Sequence, residues 1–290
     1  MIFRKTIKSL KVRAKNDHHA LDADVLYPCY GLQIHLPRAH KLPAYQRRHQ
    51  NYDKFLPHLA KFISPNGTII DIGANCGYIF TGMAQQNPHA RYICIEPDGL
   101  FNSCLRSNVD MVRSTHPGIE VTILSDLVGK GIKNAMLKNS GGTSVAVPNE
   151  GNMMTRTLDD IMQELPGADV RLLKSDVDGF DYDVLDSARQ LIDDQHPAIY
   201  FECQHDHEYQ RRGFETTMTW LADQGYVRWS AFDNFGELMI TATDPQPIFS
   251  LMGYVMKQNE GRATRTIYYL DILCVCSKDL DLMSSALKAY

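Results

Sequence analysis

The sequence predicts an α/β fold in which a mostly parallel sheet carries helices on both faces. Two observations support this. Apolar runs of four or five residues alternate with longer segments whose apolar residues recur at helical spacing, as in strands joined by crossover helices. The first run, Ile69–Ile72, breaks at Gly73 into a loop that Gly77 closes before the helical stretch Tyr78, Ile79, Phe80, Met83 and Ala84. Strand, tight glycine loop and helix bring backbone N–H groups and a helix N-terminus together, which suits a bound nucleoside.

In order along the chain, residues 1–64 are expected to form an N-terminal extension and residues 65–290 the main domain. Met1 to Lys15 holds six basic residues and no acid, interleaved with Ile2, Phe3, Ile7 and Leu10. It lacks the apolar core and cleavage site of a secretory signal. It reads as a frayed or partner-docked leader, with weak contact to an anionic membrane surface as the alternative. Val25–Tyr30 and Leu32–Leu36 read as short strands around Gly31. Pro37 and Pro43 predict irregular backbone through His40–His49. Tyr52, Phe55, Leu56, Leu59, Ala60 and Ile63 predict a helix that Pro57 kinks or begins, and Ser64–Gly67 a turn.

In the main domain, strands are expected at Ile69–Ile72, Tyr92–Ile95, Val121–Leu124, Val170–Leu173 and Ala198–Phe201, then at Tyr226–Phe232 and Tyr268–Cys276. Helices follow the second strand (Phe101 to Val109), begin at an N-cap Thr157, run through Val184–Ile192, and span Phe214–Gln224. Lys133–Leu137 and Thr143–Val147 form an inserted hairpin across Gly141-Gly142.

Bulk properties narrow the classes. A net charge of −4 offers no electrostatic footprint for nucleic acid. Seven cysteines without regular spacing fit a reducing, cytoplasmic compartment. No apolar run reaches the length of a membrane span.

Right-handed crossovers place the loops after parallel strands along one sheet edge. Asp71–Gly77, Glu96, Ser125–Asp126, Asp176–Gly179 and Glu202–His207 all follow strand ends and should converge. The loop reads Asp-x-Gly-Ala-x-x-Gly, without the middle glycine of a dinucleotide fingerprint. That favours a nucleoside without a pyrophosphate. Glu96, 25 positions beyond Asp71, suits the ribose hydroxyls of such a ligand. In Lys174-Ser-Asp-Val-Asp-Gly179, at least one of Asp176 and Asp178 should face the cleft. His205 and His207, beside Glu202, are candidates for a general base or metal ligands. Asp176 and Glu202 are candidates to share a divalent cation such as Mg2+.

As a set, three stretches resemble the FkbM family of S-adenosylmethionine-dependent methyltransferases. They are Thr68–Tyr78 with Ile95-Glu96-Pro97; Thr157-Leu-Asp-Asp160 leading to Leu173–Gly179; and Pro197–Glu202. The resemblance implies a Rossmann-like class I methyltransferase fold with a seven-stranded sheet and a reversed last hairpin. It also implies methyl transfer to oxygen, often on a sugar or natural-product hydroxyl. Cofactor contacts would be Asp71, Gly73, Ala74, Asn75 and Gly77 at the loop and Glu96 at the ribose, with Ser125 and Asp126 beside the adenine. Asp176 would face the methionine end or the acceptor. Two departures stand out: Ser175 where an aliphatic is usual, and Asp178 in place of Glu.

Proton removal from the acceptor hydroxyl falls to Asp176, His205 or His207, with Asp178 behind them. The acceptor, a small molecule or glycan, should be held by His40–His49, the Ser140–Val147 hairpin and Asp206–Gly213. In the last of these, Arg211 and Arg212 either hold an anionic group or are solvated. Two rival readings are an NAD-type Rossmann oxidoreductase and a catalytically silent S-adenosylmethionine-binding partner protein.

Overall fold

The computed structural model describes residues 24–140, 142–148 and 150–290. The basic leader Met1–Lys15 and its expected membrane contact lie outside the described residues.

Strands β1 (Asp24–Cys29) and β2 (Leu32–Pro37) pair with each other, as do β6 (Leu127–Val128) and β9 (Thr155–Arg156), outside the main sheet, whose order is β13-β12-β14-β11-β10-β3-β4-β5. Its strands are β3 (Thr68–Ile72), β4 (Arg91–Ile95), β5 (Glu120–Leu124), β10 (Val170–Ser175), β11 (Ala198–Gln204), β12 (Tyr226–Asp233), β13 (Leu238–Ala242) and β14 (Tyr269–Cys276). Neighbours from β5 to β11 pair in parallel. β14 runs antiparallel between β11 and β12. The expected reversed strand is therefore present, but the sheet has eight strands rather than seven, because β13 adds an antiparallel edge. β3 is buried along its whole length, as a parallel strand covered on both faces must be.

Helices lie on both faces. One face packs Val184, Leu185, Phe214, Met218 and Met252 against Ile70, Ile95 and Phe201. The other packs Phe80, Met83, Leu105 and Met283 against Ile69, Tyr92 and Leu273. Phe55, Leu56, Leu59 and Ile63 of the extension belong to that second core, and the Phe55 ring lies 4.4 Å from that of Phe232. Residues 55–63 of the extension thus share a core with the sheet.

Local expectations fail where tertiary context wins. His40–His49 is not irregular: Leu42–Arg48 is helical, with Pro43 in the first turn, where a missing N–H costs nothing. The segment read as one helix over Val184–Ile192 is two, Asp181–Asp186 and Arg189–Gln195. Ser187 interrupts it, and its hydroxyl accepts from Leu158 N at 3.1 Å. Thr157 caps as expected, accepting from Asp160 N at 3.1 Å. The helices Gln246–Asn259 and Leu280–Ala289 had no counterpart in the sequence reading.

Along the chain, strand order runs outward from β3 to β4 and β5, then returns to β10 and β11 on the other side. The switch point, where open α/β sheets leave a crevice beyond the strand ends, lies between β3 and β10.

Candidate cofactor and acceptor site

At that switch point two loops almost touch. Gly73 has φ +71°, and a Cβ there would fall 1.9 Å from the Asp176 carbonyl oxygen. Only glycine allows both the backbone conformation and the approach. Beside it, Glu96 is 4% exposed. One of its carboxylate oxygens accepts from Asn75 N and the other from Asp98 N, both at 2.8 Å. Asp98 in turn caps the helix Gly99–Thr115, accepting from Leu100 N and Phe101 N. One carboxylate therefore ties the glycine loop to the next strand end.

Beneath the loop lies a buried ion pair. Lys174 and Asp71 are register partners on β10 and β3. The Lys174 ammonium sits 2.8 Å from Asp71 Oδ1 and 3.7 Å from Asp176 Oδ2. It also donates to the carbonyls of Ile72 and Gly73, at 3.2 and 2.9 Å. Burial raises the Asp71 carboxyl, and Lys174 opposes that rise.

These elements open onto a cavity of about 330 Å³. Gly73, Ala74, Asn75, Glu96 and Asp126 line it together with Lys174, Asp176, Asp178, Glu202 and Asp271 of β14. The extension contributes Asp53 and the rings of Tyr45 and Tyr52, stacked 5.1 Å apart. The hairpin β7–β8 (Met136–Ser140 and Thr143–Val147) contributes Thr143 and Ser144. Three contacts hold the hairpin down. Asn75 Nδ2 donates to Gly142 O at 2.9 Å, Ser144 Oγ to Asp98 at 3.1 Å, and Thr143 Oγ1 to Asp178.

The cavity is strongly acidic. Burial pushes Glu96 and Asp53 up to about 7, and Asp178 up to about 6. Glu202 and Asp271 are raised further by burial and by neighbouring carboxylates. These acids therefore bind protons more readily in the fold than in the unfolded chain. Their stabilising contribution is complete below the ordinary carboxylate range and is lost as pH rises through 6 to 7 and above. His40 and His205 are lowered by burial and stay neutral in the fold above pH 6.5. Between pH 6.5 and 8, the unfolding free energy of the ligand-free protein should therefore fall. Urea denaturation at the two pH values measures it, and a rise would contradict the assignment.

The expected residues divide sharply. Gly73, Ala74, Asn75, Glu96, Asp126, Asp176, Asp178 and Glu202 line the cavity, whereas Asp71, Gly77, Ser125, His205 and His207 do not. Asp71 is consumed by Lys174. Gly77 is the left-handed cap of the helix Tyr78–Gln86. Ser125 is exposed and accepts from Asn102 Nδ2 at 3.3 Å. The histidine expectation is corrected by strand parity. β11 continues to Gln204, so Glu202 and Gln204 face the cavity while Cys203 and His205 point to the opposite side. His205 is buried, with ring nitrogens 2.7 and 3.2 Å from the carbonyls of Cys203 and Met252. His207 is exposed and stacked on Tyr209.

The divalent-cation expectation at Asp176 and Glu202 gains no support. Among the described residues, no group of three or more His, Cys, Asp or Glu side chains is arranged to hold a metal ion. Ser175 adds no hydroxyl to the cleft, since its Oγ is 2.5 Å from the buried Asp181. Asp206–Gly213 contributes nothing to the cavity. Arg211 pairs with Glu208 and Glu215, and Arg212 with Glu208.

The sequence reading missed Asp53, Asp271 and the tyrosines Tyr52, Tyr268 and Tyr269, all in the wall, whereas Tyr45 lies in the expected stretch His40–His49. Asp271 had a legible signal, as the sole acid in the apolar run Tyr269–Cys276.

This geometry defines a class: an α/β fold in which a glycine loop and strand-end acids surround one cavity. The methyltransferase FkbM domain matches residues 71–228. The chain belongs to that family and is an S-adenosylmethionine-dependent methyltransferase, which displaces the oxidoreductase reading. No curated protein matches the sequence.

Among solved structures, the O-methyltransferase from Bacillus cereus in complex with SAH is similar at 16% identity. The match covers 77% of this chain and 80% of that one, with a TM-score of 0.45. Methyltransferase FkbM from Methylobacillus flagellatus KT is 15% identical over 80% of this chain and 58% of that one, TM-score 0.38. Precorrin-6y C5,15-methyltransferase from Geobacter metallireducens GS-15 is 12% identical over 76% and 86%, TM-score 0.39. Among the described residues, no helix is long and apolar enough to cross a membrane.

Proposed function

We propose that the protein transfers the methyl group of S-adenosylmethionine to a hydroxyl of a sugar or sugar-bearing acceptor. The observation that carries this reading is the single cavity in which the glycine loop and Glu96 adjoin a wall of carboxylates and tyrosine rings. Carboxylates accept hydrogen bonds from vicinal hydroxyls, and stacked rings such as Tyr45 and Tyr52 present flat apolar faces to a pyranose.

When bound, S-adenosylmethionine supplies an electrophilic methyl on a cationic sulfur. The chain's task is then alignment and proton removal. Gly73 to Asn75 provide the backbone surface for the donor. Glu96 accepts from the ribose hydroxyls, and Asp126 lies at the adenine side. The acceptor oxygen forms its bond to the methyl carbon as the sulfur–methyl bond breaks, releasing S-adenosylhomocysteine.

Asp178 takes the hydroxyl proton. It lines the cavity with a carboxyl poised near 6, close to the pH at which a base works best. Its backbone is held at φ 54°, and Thr143 orients its carboxylate.

Isothermal titration should show one S-adenosylhomocysteine bound per chain and no heat from NAD. Asp178→Asn should lower kcat by about 100-fold or more with any accepted glycoside, while S-adenosylhomocysteine affinity stays within threefold. Unchanged turnover in that variant would remove Asp178 from the proton path.

A further inference from the structure

We propose that the acceptor end of the cavity is a cation subsite, and that the acceptor carries a protonated amine beside the hydroxyl that receives the methyl, as an amino sugar does. The inference rests on the transfer reaction proposed above and specifies its acceptor.

Glu202 and Asp271 are direct cross-strand partners on β11 and β14. Side chains in that relation share a face at about 5 Å between Cβ atoms, and like charges placed there repel. Glu202 is 7% exposed, and its Oε2 has no hydrogen-bond partner among the described residues, although the residue lines the cavity. Asp53 arrives from the extension on the same wall; Asp271 is raised first by burial and then by the carboxylates of Asp53 and Asp176. Asp271 itself is approached by the Tyr200 hydroxyl.

Among the described residues, no cation forms an ion pair with Glu202 or Asp271. The Lys174 ammonium is held by Asp71, by two carbonyls and, at 3.7 Å, by Asp176, and it acts on Asp53 from a distance. Lys41, at the N-cap position of the helix Leu42–Arg48, is exposed and makes no side-chain hydrogen bond to the helix. Among the described residues, no arginine lines the cavity.

Buried carboxylates that lack partners carry a desolvation cost, which an ammonium group with three donors offsets. The rings of Tyr45, Tyr52, Tyr268 and Tyr269 in the same cavity add faces that attract a cation. A metal ion would need a converging set of ligands, and the described residues hold none. A protonated amine also has no free lone pair, so it anchors the acceptor without competing for the methyl group. The methionine ammonium of the donor is the rival occupant. The Asp176 backbone carbonyl lies against Gly73, which puts Asp176 nearest the donor loop, although its carboxylate also acts on Asp53, Glu202 and Asp271; the variants below distinguish the two occupants.

The test titrates protein saturated with S-adenosylhomocysteine at pH 7, using methyl glucosaminide and methyl glucoside. These probes differ only in an amine against a hydroxyl at one carbon. The amine probe should bind at least tenfold more tightly. That advantage should vanish in Glu202→Gln and shrink in Asp53→Asn, with S-adenosylhomocysteine affinity held within threefold. Equal binding of the two sugars to the wild-type protein overturns the inference, and so does an advantage kept in both variants. A tenfold loss of S-adenosylhomocysteine affinity in Glu202→Gln would assign these acids to the donor, overturning the cation subsite while leaving methyl transfer intact. If the wild-type protein fails to bind S-adenosylhomocysteine, the transfer reading itself fails.

Discussion

Replacing Lys174 with methionine is expected to cost about 3–5 kcal/mol of folding free energy. Methionine fills much of the same volume, so the loss is electrostatic. Asp71 is fully buried and would be left without the ammonium that lies 2.8 Å away. The carbonyls of Ile72 and Gly73 would lose their donor as well. Adding Asp71→Asn to Lys174→Met should recover a large part of the loss, because it removes the charge that the first change strands. Urea denaturation of the two single variants and the double variant measures the coupling. A loss under about 1 kcal/mol in Lys174→Met would show that the pair holds nothing together.

Glu96→Ala is expected to lower S-adenosylhomocysteine affinity by at least about 100-fold. Two charge-assisted hydrogen bonds to a ribose contribute roughly 1.5–3 kcal/mol each, and every 1.4 kcal/mol is tenfold. The same carboxylate holds the loop itself through Asn75 N and Asp98 N. The variant should therefore lose preorganisation along with the ribose contact. Titration calorimetry decides the point, and affinity within threefold of wild type would place the ribose elsewhere.

Legibility followed sequence distance. Asp176, Asp178 and Glu96 were readable because each ends a short apolar run, and parallel strands bring their ends to one edge. His205 misled because the strand was read as stopping at Phe201, whereas β11 reaches Gln204 and period-two alternation turns His205 away. Asp71 misled in another way: it sits in the motif, but its partner is about 100 residues along the chain. Asp53 and Tyr52 acquire a role only when the extension folds over the sheet, and Tyr268 and Tyr269 only when β14 pairs beside β11.

By itself, the sequence determined the alternation of strands and helices, the glycine loop and the strand-end acids. All of these follow from backbone stereochemistry and crossover handedness acting within a few tens of residues. Tertiary structure decided which acids face the cavity, which is spent on Lys174, and that Glu202 meets Asp271. Those choices depend on strand register and on the packing of segments far apart in the chain, where burial sets the charge state of each carboxyl group.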